Sequence, residues 1–379
     1  MKILVIGWYY SSNLGDAVLC RCVASKLQEH YPDAQVVVGD LAGRRDFSKD
    51  PPATVILRRH WLLHFRKNLT LLGWDCQQRH EYRVLDAQRS SLEQLAREDF
   101  DAVVFAGGQL FVDSLGVSCR FLTEQFARRH IPVFFNACGT GSSWSRRLQQ
   151  ELGQALRLEN VGYVSCRDDV ELVNRWCRGE VAVPASDPAL WAADVFNTVK
   201  GSRSDTVGLG VMLASSLNPL RTFHFWQKLI RCLLREGIRF QLFTNGSEAD
   251  MAFARAVLTR LPELAGREAG YLCPVPRTPE ELVRQIAGFR SLISFRLHSH
   301  IIAASLDIPG IAIVWDEKLR FFFRQIGHPE RCFTTADPPQ ALIAALRRAE
   351  AEGYDQMLLA RQREESTEAL LRAMDKMLL

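Results

Sequence analysis

The stretch SLISFRLHSHIIAASLDIPGIAIVWDEKLR, residues 291–320, sets Arg296, His298 and His300 between two long apolar runs, with Lys318 and Arg320 following the second run. An unpaired charge buried beside such runs costs several kcal/mol, so these cations call for a partner or an anionic ligand. The planar fork of arginine matches carboxylate and phosphate oxygens, and lysine adds a point charge. A small anion bearing both a phosphate and a carboxylate fits Arg296 and Lys318 together. His298 differs from them because only an imidazole exchanges a proton near neutral pH, which makes it a candidate general acid. A lone histidine beside an apolar helix also reads as a satisfied core residue, but that reading has to explain Arg296, His298 and Lys318 together.

Four further clusters lie upstream. SCRDD places Arg167 at the end of a short apolar run, and PASDPAL places Asp187 before Pro188. Arg167 suits an anion, and it also suits a structural pair with Asp168, Asp169 or Asp187. GWYYSSNLGDAVL joins a strand-like run to a helix-like one through a loop holding Asn13, Gly15 and Asp16, and such a loop leaves backbone N–H groups free for an anion or a hydroxylated ligand. Asn13 and Asp16 equally fit a helix cap. FAGGQLFVDS puts Gly107, Gly108 and Gln109 after a buried run, where missing side chains let a ligand approach the backbone. None of these is a G-x-G-x-x-G or a P-loop, so no nucleotide cofactor is indicated. The ten cysteines are scattered, and Cys20 and Cys22 diverge on a helix, so reduced structural thiols are expected and no metal set is assigned.

The elements that must position these residues alternate between strand-like and helix-like along nearly the whole chain. KILVIGW, QVVVGD, DAVVFAG, IPVFFNAC and VGYVSCRD read as buried strands of a first unit, with helices between them. TVGLGVML, RFQLFTNG, SLISFR and GIAIVW read as strands of a second. The expected fold is α/β, two doubly wound Rossmann-like domains facing across a cleft. Residues 1–190 form the N-terminal domain and residues 205–355 the C-terminal domain. Between them the segment 187–205 is rich in Pro, Gly and Ser and has no sustained period. Residues 356–379 read as one last helix placed to pack back on the N-terminal domain. Ligands of such sheets bind at the carboxyl ends of strands, where all five clusters fall. Arg296 and His298 are expected to alternate at the end of a strand, with His300 on the helix that follows.

Composition bounds the rest. With 379 residues, 47% hydrophobic and 24% charged, the chain is long enough for two globular cores. A net charge of +4 without a basic stripe argues against nucleic acid. No charge-free apolar run is long enough to span a bilayer, and the opening residues read as a strand and not a signal peptide, so a cytoplasmic protein is expected. Between Arg44 and Arg83 lies a basic and aromatic excursion. Its RRHWLLHFRK segment, Arg58–Lys67, offers peripheral contact with the inner face of a membrane, or else a solvated face.

Taken in order, IGWYYSSNLGD, AGGQLFVDS, SCRDDVEL, SDPAL and SFRLHSHIIAASLDIPGIAIVWDEKLRFFFRQIG resemble the polysaccharide pyruvyl transferase family. The resemblance runs from Lys2 to about Gly327, and its last block is the most specific. It implies a glycosyltransferase-B type fold and transfer of pyruvate from phosphoenolpyruvate onto two hydroxyls of a sugar, forming a cyclic ketal and releasing phosphate. On that implication Arg167, Arg296 and Lys318 bind the donor, His298 supplies the acid and Asp16 the base. Asn13, Gly15, Gly107, Gly108, Gln109 and Asp187 form the acceptor side or a backbone cradle. No cofactor and no metal are needed. The acceptor is a sugar, a lipid-linked oligosaccharide or a cell-surface polysaccharide, whose identity and hydroxyl pair stay open, as does the oligomeric state. The chain departs from the family at Ala17, where an acidic residue is usual, and at Gln109, where a third glycine is common. The alternatives are a nucleotide-sugar-dependent glycosyltransferase of the same architecture and a non-catalytic protein that kept the fold.

Overall fold

A computed structural model describes residues 1–47, 76–141, 145–198, 204–213 and 218–378. The first lobe runs β1 (Lys2–Gly7), α1 (Leu14–His30), β2 (Gln35–Asp40), α2 (Cys76–Arg97), β3 (Ala102–Phe105), β4 (Gly108–Phe111), α3 (Asp113–Ala127), β5 (Val133–Thr140), α4 (Arg146–Ala155), β6 (Val161–Cys166), α5 (Val170–Cys177) and β7 (Val183–Pro184). A 3-10 turn, Pro188–Trp191, and the short α6 (Ala192–Val195) lead to the second lobe. There follow β8 (Val207–Gly210), α7 (Pro219–Arg235), β9 (Phe240–Phe243), α8 (Glu248–Thr259), α9 (Pro279–Ala287), β10 (Ser291–Ser294), α10 (Leu297–Ser305), β11 (Gly310–Ile313), α11 (Glu317–Gln325), β12 (Cys332–Phe333) and α12 (Pro339–Glu352). The chain closes with α13 (Gln356–Glu365) and α14 (Glu368–Leu378).

Both sheets are parallel, ordered β2-β1-β3-β5-β6-β7 and β12-β11-β10-β8-β9, with β4 also pairing β5. β1 shows why: Ile3, Leu4, Val5 and Ile6 are all fully buried, and a strand covered on both faces needs a continuous apolar run, not an alternating one. In register, Ile3 lies between Val36 and Ala102. One apolar core joins the lobes. It takes Ile3, Val5 and the α1 residues Leu19 and Val23 from the first sheet's side, and Leu282, Ile286, Ile301 and Phe323 from the second. The two lobes are therefore welded along α1, α9 and α10, and the strand tips of each sheet are brought to face the other.

After Gly107 the chain forms the short strand β4, which pairs β5 through a shifted register. Several expectations are corrected. The helix before β3 begins at Cys76, inside the basic excursion, while Arg58–Lys67 lies outside the described residues. The last helix is two helices. Between them Ser366 and Thr367 are buried, and the Ser366 hydroxyl donates to the Arg363 carbonyl at 2.6 Å, a local bond that competes with continuing the helix. α14 lies against β5 and β6 of the first sheet, and its Asp375 accepts from Tyr31 Oη at 2.7 Å. Every cysteine whose side chain is described is free. No helix among the described residues is long and apolar enough to cross a membrane.

Candidate active site

The stretch 291–320 folds as strand, tight junction and helix. β10 stops at Ser294, whose hydroxyl accepts from the Arg296 N–H at 3.0 Å, and Arg296 is the N-cap of α10. His298 therefore sits in the first turn of a helix, not in alternation at the end of a strand. The residues of α10 are all buried, and its small Ser299, Ala303, Ala304 and Ser305 let it lie between the sheets. His300, on the same helix, turns away from the site. Its Nε2 lies 3.0 Å from the Ser294 carbonyl, its ring meets Phe323 edge-on, and burial pulls its pKa down to about 4. It is a neutral core residue. Arg320 is also outside the cluster, 40% exposed and paired with Glu317.

His298 is 6% exposed and faces groups from both lobes. Its Nδ1 is 3.6 Å from Asp16 Oδ1; its Nε2 is 3.2 Å from Arg167 Nη1 and 3.8 Å from Asp187 Oδ2. A guanidinium only donates, so Nε2 is the acceptor and the ring proton belongs on Nδ1, toward Asp16. Desolvation lowers the His298 pKa; Asp16 and Asp187 oppose it, while Arg167 and Lys318 act with it. The imidazole is thus neutral here at physiological pH.

The loop after β1 sets Asp16. Asn13 makes no side-chain cap; its Nδ2 donates to Asp16 Oδ2 at 2.8 Å and steadies the carboxylate toward the imidazole. Gly15 is needed for the approach, because a Cβ there would stand 2.4 Å from His298 Cβ. Gly107 and Gly108 both have positive φ, and a Cβ on Gly107 would meet the Asn136 carbonyl at 2.7 Å. A Cβ on Gly108 would reach Asp16 Oδ1 at 3.4 Å. The two glycines shape a strand-to-strand turn beside the carboxylate.

Each candidate cation already has a partner. Of the three carboxylates near Arg167 in sequence, Asp187 takes it, in an ion pair whose side chains are only 5% and 3% exposed. Asp187 Oδ1 also accepts from Ala189 N at 2.9 Å and so starts the 3-10 turn. Asp168 instead binds Thr140, and Asp169 caps α5. Arg296 pairs with Asp250 in the first turn of α8. Lys318 Nζ donates to Gln109 Oε1 at 2.8 Å, lies 3.8 Å from Asp316 and sits over the Trp315 ring. Burial pulls Lys318 down to about 8, against Asp316, with Arg167 and Arg296 adding to the fall. Arg167 Nε and Arg296 Nε are buried with no hydrogen-bond partner among the described residues, so each guanidinium keeps an unused donor.

The structure thus brings Asn13, Gly15, Asp16, Gly107, Gly108, Gln109, Arg167 and Asp187 of the first lobe against His298, Arg296 and Lys318 of the second. Gln109 is a bridge between lobes, since its Nε2 also donates to the Thr140 carbonyl at 3.2 Å. Arg296, 21% exposed, and Lys318, 11%, form the more open edge; Arg167, Asp187 and His298 are the closed floor. The sequence expectation of bare cations gathered around an anion is corrected to cations held by carboxylates, because each guanidinium or ammonium this deep needs a counter-charge when no ligand is bound. Asp250 was not anticipated: in sequence it is an ordinary first-turn acid of a helix, and only the fold carries it to Arg296. Among the described residues, His328, Glu330 and Glu352 are spaced for a metal ion, and they share no residue with this site.

A family model described as polysaccharide pyruvyl transferase matches residues 13–317. No curated protein matches the chain in sequence. Similar solved structures include UDP-GlcNAc 2-epimerase of Methanocaldococcus jannaschii in complex with UDP-GlcNAc and UDP, at TM-score 0.61 and 11% identity over 99% of this chain and 100% of that one. The UDP-GlcNAc 2-epimerase of Neisseria meningitidis bound to UDP-GlcNAc gives TM-score 0.60 and 10% identity, again over 99% and 100%. Identities this low establish the two-lobed glycosyltransferase-B type fold alone.

Proposed function

The chain belongs to the polysaccharide pyruvyl transferase family, and from that premise we propose that it transfers pyruvate from phosphoenolpyruvate to two hydroxyls of one sugar in a cell-surface glycan, forming a cyclic ketal and releasing phosphate. The observation that carries this reading is the meeting of Arg167 of the first lobe with His298 and Lys318 of the second. Such a donor packs a carboxylate and a phosphate onto three carbons, so its binding energy comes from charge-assisted hydrogen bonds. Lys318 and the unused Nε donors of Arg167 and Arg296 supply them, with the donor entering by the Lys318–Arg296 edge.

The reaction then needs one proton on the methylene carbon. That protonation turns the neighbouring carbon into a cation, which one sugar hydroxyl attacks; loss of phosphate regenerates an electrophile for the second hydroxyl. Of the two hydroxyl protons, one replaces the proton given to carbon and the other leaves with phosphate. His298 is neutral in the free site, and the charge of the arriving donor raises its pKa so that it binds the proton it will deliver. Asp16, facing Nδ1, orients the imidazole and stabilises its charged form, a role closer to its observed position than that of a base at the acceptor.

The test is to incubate the protein with phosphoenolpyruvate and a panel of glycans. The reading requires an acceptor that gains mass in step with phosphate release; phosphate release without acceptor modification, or stabilisation by UDP and not by phosphoenolpyruvate, contradicts it.

Lys318 gives the donor step a pH signature. Its folded pKa of about 8 lies below the ordinary lysine value, so the ammonium is present below pH 8 and lost above it. Proton uptake by His298 makes phosphoenolpyruvate affinity fall with pH around neutrality, and loss of the Lys318 ammonium should add a further fall of roughly tenfold per pH unit above about pH 8. Titrations of Kd against pH check this, and in Lys318→Arg the added decline above pH 8 should vanish.

A further inference from the structure

The corner between β9 and α8, residues 244–250, touches the site at two places that the reaction as written does not use. α1 starts without a side-chain cap, so the backbone N–H groups of its first turn need acceptors from elsewhere. Leu14 N donates to the carbonyl of Asn245, in the second lobe, at 2.8 Å. That approach depends on Gly246, whose φ is +112° and where a Cβ would stand 2.7 Å from the Ser12 carbonyl. The loop that carries Asn13 and Asp16 is thus fixed from the opposite lobe, just beyond the tip of β9.

The Asn245 side chain, itself buried, is bonded to α10. Its Oδ1 accepts from Ser299 Oγ at 2.8 Å, and Ser299 is fully buried and next in sequence to His298. A helical serine often returns its hydroxyl to a carbonyl of its own helix; this one gives it to another element. The same corner holds Arg296 through Asp250, whose Oδ1 also accepts from Leu213 N at 2.8 Å. A closed circuit results. Asp16 is held by Asn13 at 2.8 Å, Leu14 by Asn245, and Asn245 by Ser299, whose neighbour His298 faces Asp16 again across 3.6 Å.

We infer that Asn245 is a positioning residue: its carbonyl holds the loop of Asp16 and its side chain holds the helix of His298, and this clamp fixes the carboxylate against imidazole Nδ1. The inference deepens the transferase reading above and rests on it for its effect on turnover. Charged groups face the ring from four other elements: Asp16 of α1, Asp187 at the 3-10 turn, Arg167 after β6 and Lys318 of α11. Arg296 stands at the start of the ring's own helix. Arg167 and Asp187 hold each other, Lys318 is held from Gln109 and Arg296 from Asp250. Of these groups, Asp16 is the one carried on the loop that Asn245 holds. Loosening the clamp therefore withdraws Asp16 and leaves the others in place. Asp16 raises the His298 pKa against burial, so its withdrawal lowers that pKa and weakens proton uptake.

The test follows the His298 imidazole by NMR across pH in the parent protein, Asn245→Ala and Ser299→Ala, its signal assigned by its loss in His298→Gln. Asn245→Ala keeps the carbonyl and cuts the tie to α10. Ser299→Ala cuts the same tie by removing one hydroxyl, and it gives the readout on its own if the asparagine variant does not fold. The titration midpoint should move down in both variants, and neither should move it when made in Asp16→Asn. Turnover should fall by about a hundredfold, the effect of a small misplacement. The double variant should lose no more than the worse single, because the two side chains act as one tie. Phosphoenolpyruvate affinity should fall no further than in His298→Ala. An unmoved midpoint in the folded variants, or a shift that persists in Asp16→Asn, overturns the clamp. Failure of phosphoenolpyruvate to bind the parent protein sinks the transferase reading and leaves the midpoint to decide the clamp.

Discussion

Replacing His298 with alanine is expected to lower turnover by roughly 10²–10⁴-fold, the usual worth of a positioned general acid, while phosphoenolpyruvate affinity falls only by the roughly tenfold that its coupling to one imidazole proton near neutral pH supplies. The separation follows from geometry. The guanidinium of Arg167 is held by Asp187 and that of Arg296 by Asp250, so neither depends on the imidazole for its place. Lys318 is held from Gln109. The ring is thus removable without dismantling the anion contacts. Single-turnover rates and donor Kd measured side by side check this, and a His298→Ala protein with full rate on its acceptor refutes the acid assignment.

The second large effect is on stability. Asp187→Ala leaves Arg167 buried with no counter-ion except the distant share of Asp16 and Asp168, and it removes the acceptor for Ala189 N at the start of the 3-10 turn. Breaking a buried pair in this way typically costs about 3–5 kcal/mol. Asp187→Asn keeps the turn and a hydrogen-bonding oxygen and should cost less. Denaturant midpoints of the two variants check the order. An alanine variant within about 1 kcal/mol of the parent, the range of an exposed pair, would show that Arg167 is not held as the structure has it.

Much of the frame was legible in the residues. The run Ile3–Ile6 is apolar at every position, which only a strand covered on both faces requires, and the same is true of Val133–Phe135. His298 stood out because it recurs beside Arg296 and Lys318. What the sequence hid is whatever depends on proximity between distant segments. Arg167 had three neighbouring acids to choose from, and nothing local favours Asp187 over Asp168 until β6 and the 3-10 turn are set side by side. Asp250 lies 46 residues from Arg296 and looks like an ordinary first-turn acid. Gly15 reads as a loop glycine until His298 of the other lobe is found against it. Gln109, the departure from the family pattern, gains its meaning only from Lys318. His300 had the same sequence credentials as His298 and a different fate, decided by which side of α10 faces Phe323.

The central claim is that an imidazole kept neutral by burial takes up a proton when a doubly acidic donor arrives among the cations around it. Calorimetric titration of phosphoenolpyruvate in buffers of differing ionisation enthalpy, near neutral pH, measures that proton directly. The account predicts net uptake approaching one proton in the parent protein, absent from His298→Gln. Binding with no proton uptake, or with the same uptake in both proteins, would contradict it.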